Sequence, residues 1–132
     1  MTKPVILCVD DEKAVLESLK AQLRAAFGNA YQYEMAEDAF EALELIQELV
    51  QENIVIILIV SDWLMPGMRG DDFLIRVAQA YPRIIRILLT GQADAAAIER
   101  AQREANLYCC LRKPWSKVAL VEAIQTAIQT YE

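Results

Sequence analysis

Residues 54–70 read IVIILIVSDWLMPGMRG, and this stretch decides the fold. Its first seven residues, Ile54 to Val60, are an unbroken apolar run rich in β-branched side chains. Such a run reads as a strand buried on both faces, as in a parallel sheet. It stops at Ser61-Asp62, and Met65-Pro66-Gly67 with Gly70 is turn chemistry. A carboxylate thus stands where a central strand leaves its sheet. In open α/β sheets, ligands bind outside the carboxyl ends of the strands.

Outward from there, the same alternation repeats. Pro4 to Val9 is a short apolar strand that ends on Asp10-Asp11-Glu12. Lys13 to Phe27 carries Val15, Leu16, Leu19, Leu23, Ala26 and Phe27 at helical spacing and stops at Gly28-Asn29. Tyr31 to Ala36 alternates and reads as a strand near a sheet edge. Glu37 to about Asn53 is an amphipathic helix, with Phe40, Leu43, Ile46 and Val50 expected inward. After the central strand comes a helix opening near Asp71, with Phe73, Leu74, Val77 and Ala78 on its apolar side. Ile84 to Leu89 is a fourth strand, ending at Thr90-Gly91. Asp94 is placed to cap a helix over Ala95 to Ala105, whose inward face is mostly alanine with Ile98. That helix is expected to be weakly anchored, because alanine buries little area. Leu107 to Leu111 is a fifth strand, ending at Lys113-Pro114. Ser116 can cap the last helix, with Val118, Val121, Ile124 and Ile128 on one side. The pattern is (βα) five times, an α/β doubly wound parallel sheet with helices on both faces.

Composition bounds the function. The chain of 132 residues suits a single domain, and the expectation is one domain over 1–132, complete or cut from a longer protein. The formal net charge of −6 argues against sequence-independent nucleic-acid binding. No apolar run approaches the roughly 18 residues that span a bilayer, and no signal peptide is visible. The expected location is cytoplasmic, away from membranes. The three cysteines, Cys8, Cys109 and Cys110, fall in strands and read as small hydrophobes rather than a disulfide framework. With no histidine, imidazole catalysis and His-ligated metals are excluded. Oxygen ligands remain, which favour Mg2+ or calcium.

Asp10, Asp11, Asp62, Thr90 and Lys113 all fall at carboxyl ends of strands that the fold lines up on one edge. Singly they read as a helix cap, a turn and a solvated lysine. Together, three carboxylates that repel each other call for a cation, and Mg2+ suits them. A metal beside a carboxylate and a lysine suits a transferring phosphoryl group, with the carboxylate attacking in line. A threonine hydroxyl nearby can donate to a phosphoryl oxygen.

These residues resemble the receiver domain of two-component response regulators over nearly the whole chain. The likeness rests on Val9-Asp10-Asp11-Glu12, Ser61-Asp62-x-x-Met65-Pro66-Gly67, Leu89-Thr90-Gly91 and Lys113-Pro114-Trp115, in that order. The resemblance implies a flavodoxin-like fold with sheet order 2-1-3-4-5. It implies that Asp62 accepts a phosphoryl group from a sensor histidine kinase or phosphotransfer protein. Asp11 would ligate Mg2+ directly, Asp10 mainly through water, and the backbone carbonyl of Leu64 would be a further ligand. Thr90 would move onto the phosphoryl group, Lys113 would pair with it, and the Lys113-Pro114 bond would be cis. The module would be no enzyme toward a separate substrate. It would catalyse its own phosphorylation and control an output domain or effector, and a homodimer is compatible with that role.

Two positions depart from the family's pattern. Cys110 stands where a switch aromatic is usual, with Tyr108 two residues earlier on the same face by strand parity. The positions that tune self-dephosphorylation fall on Leu64 and Gln92. The wording RILLTG…YxxxxKPW resembles receivers fused to phosphodiesterase-type or transcription-activator outputs. A non-phosphorylated receiver-like interaction domain is the alternative. A flavin binder is disfavoured, because Asp10-Asp11-Glu12 repels a phosphate where a Ser/Thr/Gly-rich loop is needed. An aspartyl phosphatase is disfavoured because its DxD spacing is absent.

Overall fold

The computed structural model describes residues 2–91 and 95–131. Five strands alternate with five helices: β1 (Val5–Val9), α1 (Lys13–Phe27), β2 (Gln32–Ala36), α2 (Ala39–Gln51), β3 (Ile56–Asp62), α3 (Gly70–Ala80), β4 (Ile85–Thr90), α4 (Ala95–Glu104), β5 (Cys109–Arg112) and α5 (Lys117–Tyr131). All pairings are parallel and the sheet order is β2-β1-β3-β4-β5. This is the flavodoxin-like order that the resemblance implied, with β2 on an edge. Among the described residues no helix is long and apolar enough to cross a membrane.

The sheet divides the core in two. Val5, Leu7, Val9, Ile59, Phe73, Leu74 and Leu88 pack on one face, beneath α2, α3 and α4. Ile6, Cys8, Leu58, Val60, Ile87 and Leu89 pack on the other, against Leu19, Leu23, Leu120 and Ile124 of α1 and α5. All seven residues of β3 are buried. A buried Leu, Ile or Val contributes about 1.5–3 kcal/mol by leaving water, so β3 is a firmly held base for a site at its end.

The structure moves several sequence expectations. β3 begins at Ile56, because Asn53 (φ 60) closes α2 and the Ile54 N–H returns to the Leu49 carbonyl. Phe40 and Val50 are exposed at 53% and 41%, and α2 buries Ala39, Ala42, Ile46 and Leu49 instead. The inward stripe lies a residue or so off the expected one. The helix starts at the Asp38 carboxylate, which caps α2 by accepting the Glu41 N–H at 2.8 Å. In α5, Val118 is exposed at 65% and the buried stripe is Leu120, Ile124, Ala127 and Ile128. The Ser116 hydroxyl does cap this helix, accepting the Ala119 N–H at 3.2 Å. In α4 the buried residues are Ala97 and Ala101, while Ile98 is only half-buried. The Asp94 cap lies outside the described residues.

Candidate functional site

Four strand ends on one sheet edge, those of β1, β3, β4 and β5, build the site. Register fixes their relation: Val9 pairs with Ser61, and Asp62 with Leu89. The Trp63 N–H donates to the Leu89 carbonyl at 2.9 Å, and the Lys113 N–H to the Thr90 carbonyl at 2.8 Å. Asp10, Asp62, Thr90 and Lys113 are thereby brought together by backbone pairing before any side chain takes part.

The acids are not equivalent. Asp10 is wholly buried and both its oxygens are engaged: Oδ1 accepts the Glu12 N–H at 2.9 Å and Oδ2 the Lys113 ammonium at 2.7 Å. Asp11 is exposed, and Asp62 is buried at 6%. Oxygens of all three lie within 4.8 Å of one another. Lys113 also pairs with Asp62 Oδ1 at 3.0 Å. The cluster opens into a cleft of about 610 Å³, lined by Asp11, Glu12, Asp62, Leu64, Gly91 and Lys113 among others.

Burial raises the Asp62 carboxyl above its usual range. Lys113 pulls it part of the way back, and the charges of Asp10 and Asp11 add to the rise. Burial works against the Lys113 ammonium, but its bonds to Asp10 and Asp62 outweigh that and its pKa is raised. A divalent oxygen-seeking cation fits this donor set: hard carboxylate oxygens converge, one of the acids is open to water, and the like charges repel unless neutralised. Asp10 is occupied by its own hydrogen bonds, and Asp11 is the most exposed acid of the three.

Thr90 is buried at 5%, at the end of β4. Its hydroxyl is within hydrogen-bonding reach of the Cys110 thiol. Register explains this, since Leu88 pairs with Cys110 and Thr90 with Arg112, so the two side chains are diagonal neighbours on one face. Burial pushes the Cys110 thiol up, and Thr90 and Arg112 offset part of that. Cys109 and Cys110 are half-buried and pack on opposite faces, and Cys8 is fully buried. Tyr108 lies one residue before β5, at 37% exposure. Gln92 lies outside the described residues. The Lys113-Pro114 bond is cis, and Trp115 donates to the Gln22 side chain at 2.8 Å, tying this segment to α1.

Several residues here have roles that sequence reasoning did not give them. Gly70 opens α3 directly against the end of β3: a Cβ there would collide with the Asp62 carbonyl. Asp71 is wholly buried and pairs with Arg69 at 3.1 Å. Arg86 is buried at 5% and donates to the carbonyls of Ala105 (2.6 Å), Ile84 (2.7 Å) and Pro82 (3.1 Å). A charged residue in the middle of an apolar strand is the one sequence signal that marks Arg86. Nothing in the local sequence marks Asp71 as buried.

The model of one family, the response regulator receiver domain, matches residues 6–125. The hydrogenase transcriptional regulatory protein HoxA of Bradyrhizobium diazoefficiens is 32% identical over 96% of this chain, which spans 24% of that protein. The chain therefore covers about a quarter of that relative's length. Among solved structures, the signal receiver domain of an HD domain-containing protein from Pseudomonas fluorescens Pf-5 superposes with a TM-score of 0.87. It is 33% identical, over 98% of this chain and 97% of that one. A CheY-like receiver domain from Methanospirillum hungatei JF-1 gives 0.85 at 28% identity, over 98% and 97%.

Proposed function

Since this chain belongs to the response regulator receiver family of two-component signalling, we propose that Asp62 is its phosphoacceptor. The observation that carries this reading is the pairing of Asp62 with Lys113 at 3.0 Å, beside two further acids, at the mouth of an open cleft. An Asp62 carboxylate oxygen attacks the phosphorus of a donor phosphohistidine. The new O–P bond forms as the N–P bond breaks, and the imidazole leaves with the bonding pair. Lys113 favours the ionised form of Asp62 against its burial and offsets charge on the transferred group. The Thr90 hydroxyl donates to a phosphoryl oxygen once it leaves the Cys110 thiol. Mg2+, held by Asp11, Asp62 and the Leu64 carbonyl, would supply the positive charge that lets a phosphoryl dianion approach three acids.

The donor would be a sensor histidine kinase or phosphotransfer protein in the cytoplasm. The receiver would act on an output domain or effector, as one domain of a longer regulator. The relatives' names, a transcriptional regulator and an HD domain-containing protein, agree with the outputs suggested by the RILLTG…YxxxxKPW wording.

The test is to incubate the protein with a small acyl phosphate and Mg2+ and weigh it intact. One phosphoryl adduct is expected on the wild type and none on Asp62→Asn. An equal adduct on both would overturn the assignment. Cys110 in place of a switch aromatic favours a second reading, an interaction domain that works unphosphorylated. Absence of any adduct, with no Mg2+-dependent change in Trp63 emission, would select it.

A further inference from the structure

Helix α4 has few apolar anchors. Ala97 and Ala101 are its buried residues, with Ala105 just past its end. Alanine removes little area from water, so something else must set where this helix sits. Arg100, in its middle, supplies it. The guanidinium donates through Nη1 to Asp72 Oδ1 at 2.7 Å and to Asp71 Oδ2 at 3.4 Å, and through Nε to Glu104 at 2.9 Å. Asp71 and Asp72 are the first turn of α3.

That turn is keyed to the phosphoacceptor strand. The Gly70 N–H donates to the Trp63 carbonyl at 2.6 Å, and Gly70 has no room for a side chain against the Asp62 carbonyl. Only Gly70 therefore separates the Asp62 backbone from the acids that hold α4. The turn is also incompletely satisfied. Asp71 Oδ1 and Trp63 Nε1 are both buried and lack hydrogen-bond partners among the described residues. Arg69 spans the pair, with its guanidinium over the Trp63 ring at 5.8 Å and on Asp71 Oδ2 at 3.1 Å. A buried acceptor and a buried donor left unpaired, on two residues that Arg69 touches at once, mark an arrangement that another can replace at low cost.

We propose that Arg100 is a positioning residue for α4, and that its bridge to Asp71 and Asp72 couples the state of Asp62 to the position of that helix through the first turn of α3. This route is separate from the one through Thr90 and β5, and it rests on the reading of Asp62 as phosphoacceptor. Movement at the end of β3 displaces Gly70, changes the seat of Asp71, and shifts or releases Arg100.

The experiment combines intact mass with hydrogen exchange of amides 95–104, with and without a small acyl phosphate and Mg2+. The proteins are wild type, Arg100→Met, Arg100→Lys and Asp72→Asn. Wild type should take one phosphoryl group and change its α4 exchange. Arg100→Met should take the same adduct, but its resting α4 amides should exchange roughly three- to fivefold faster and change little further on phosphorylation. Asp72→Asn should behave similarly, and Arg100→Lys should restore part of the protection. A full adduct on Arg100→Met with a wild-type α4 response would overturn the coupling alone, as would an adduct on wild type with α4 unmoved. No adduct on wild type would overturn the phosphoacceptor reading, and the coupling with it.

Discussion

The Lys113 ammonium stands 3.0 Å from Asp62 Oδ1 while also holding Asp10 Oδ2 at 2.7 Å. One cation bridges two buried acids that would otherwise face each other. The bridge comes from 103 residues away in the chain, so it forms only when β5 has joined the sheet.

Replacing Lys113 with methionine should therefore do two opposite things. The wholly buried Asp10 loses its cation, and the metal-free protein should lose about 3 kcal/mol of stability. Mg2+ should then stabilise the variant more than it does the wild type, because it no longer competes with an internal cation. Thermal unfolding with and without Mg2+ reads both. A smaller Mg2+-induced shift in the variant would contradict the role given to Lys113. Phosphoryl transfer should slow by at least about tenfold, as expected for loss of a charge that acts on the transferred group.

The raised Asp62 pKa gives a pH prediction with a definite sign. The folded state binds this proton at pH values where the unfolded chain, near the ordinary 3.8, does not. The stabilising contribution is complete below 3.8 and is lost as pH rises through the higher folded value. Asp62→Asn cannot ionise, so without metal it should melt above the wild type at about pH 7, and the gap should narrow on acidification. A lower melting point for the variant at neutral pH would reverse the assigned balance of burial over pairing.

Arg86 is held by main-chain carbonyls, and no carboxylate pairs with it among the described residues. Burial lowers its pKa, but it stays charged at neutral pH. Arg86→Met leaves several buried carbonyls without donors and should cost about 2–4 kcal/mol in urea unfolding. Arg86→Lys should recover less than half, since an ammonium cannot spread over carbonyls on two loops. A loss under about 1 kcal/mol would mean that water replaces the guanidinium freely.

Two glycines near the site should respond in opposite ways. A methyl group at Gly70 would meet the backbone of Asp62 and Trp63, which cannot turn aside, whereas none of the described residues lies within 4 Å of one at Gly91. Gly70→Ala should cost about 2–3 kcal/mol and disturb metal binding. Gly91→Ala should stay within about 0.5 kcal/mol of the wild type. Denaturant midpoints and Mg2+ titration of both variants give the comparison.

The sheet was legible because its signals are local. An apolar β-branched run, turn residues after Asp62, and acids or a lysine at strand ends need no knowledge of tertiary contacts, and the parallel order then brings those ends together. Helix faces were less legible. Phe40 and Val50 sit at helical spacing with Leu43 and Ile46, and only the rotation imposed by packing on β1 and β3 leaves them exposed. The hold on α4 was least visible. Its alanines pointed to a loose helix, but the compensating ion pairs join Arg100 to residues 28 and 29 positions earlier. Charged residues at that separation look like ordinary surface, and the burial of Asp71 arises only once α3 and α4 lie side by side.

The two edges of the sheet carry a consequence for assembly. β2 has five residues and β5 only four, and exposed Gln32 and Arg112 stand at their ends. Edges this short, each with an exposed polar side chain at one end, are poor templates for a strand from another chain. Self-association or effector docking that respects this sheet is therefore a matter of helix and loop side chains. A contact of that kind can be made and broken without unpairing a single strand.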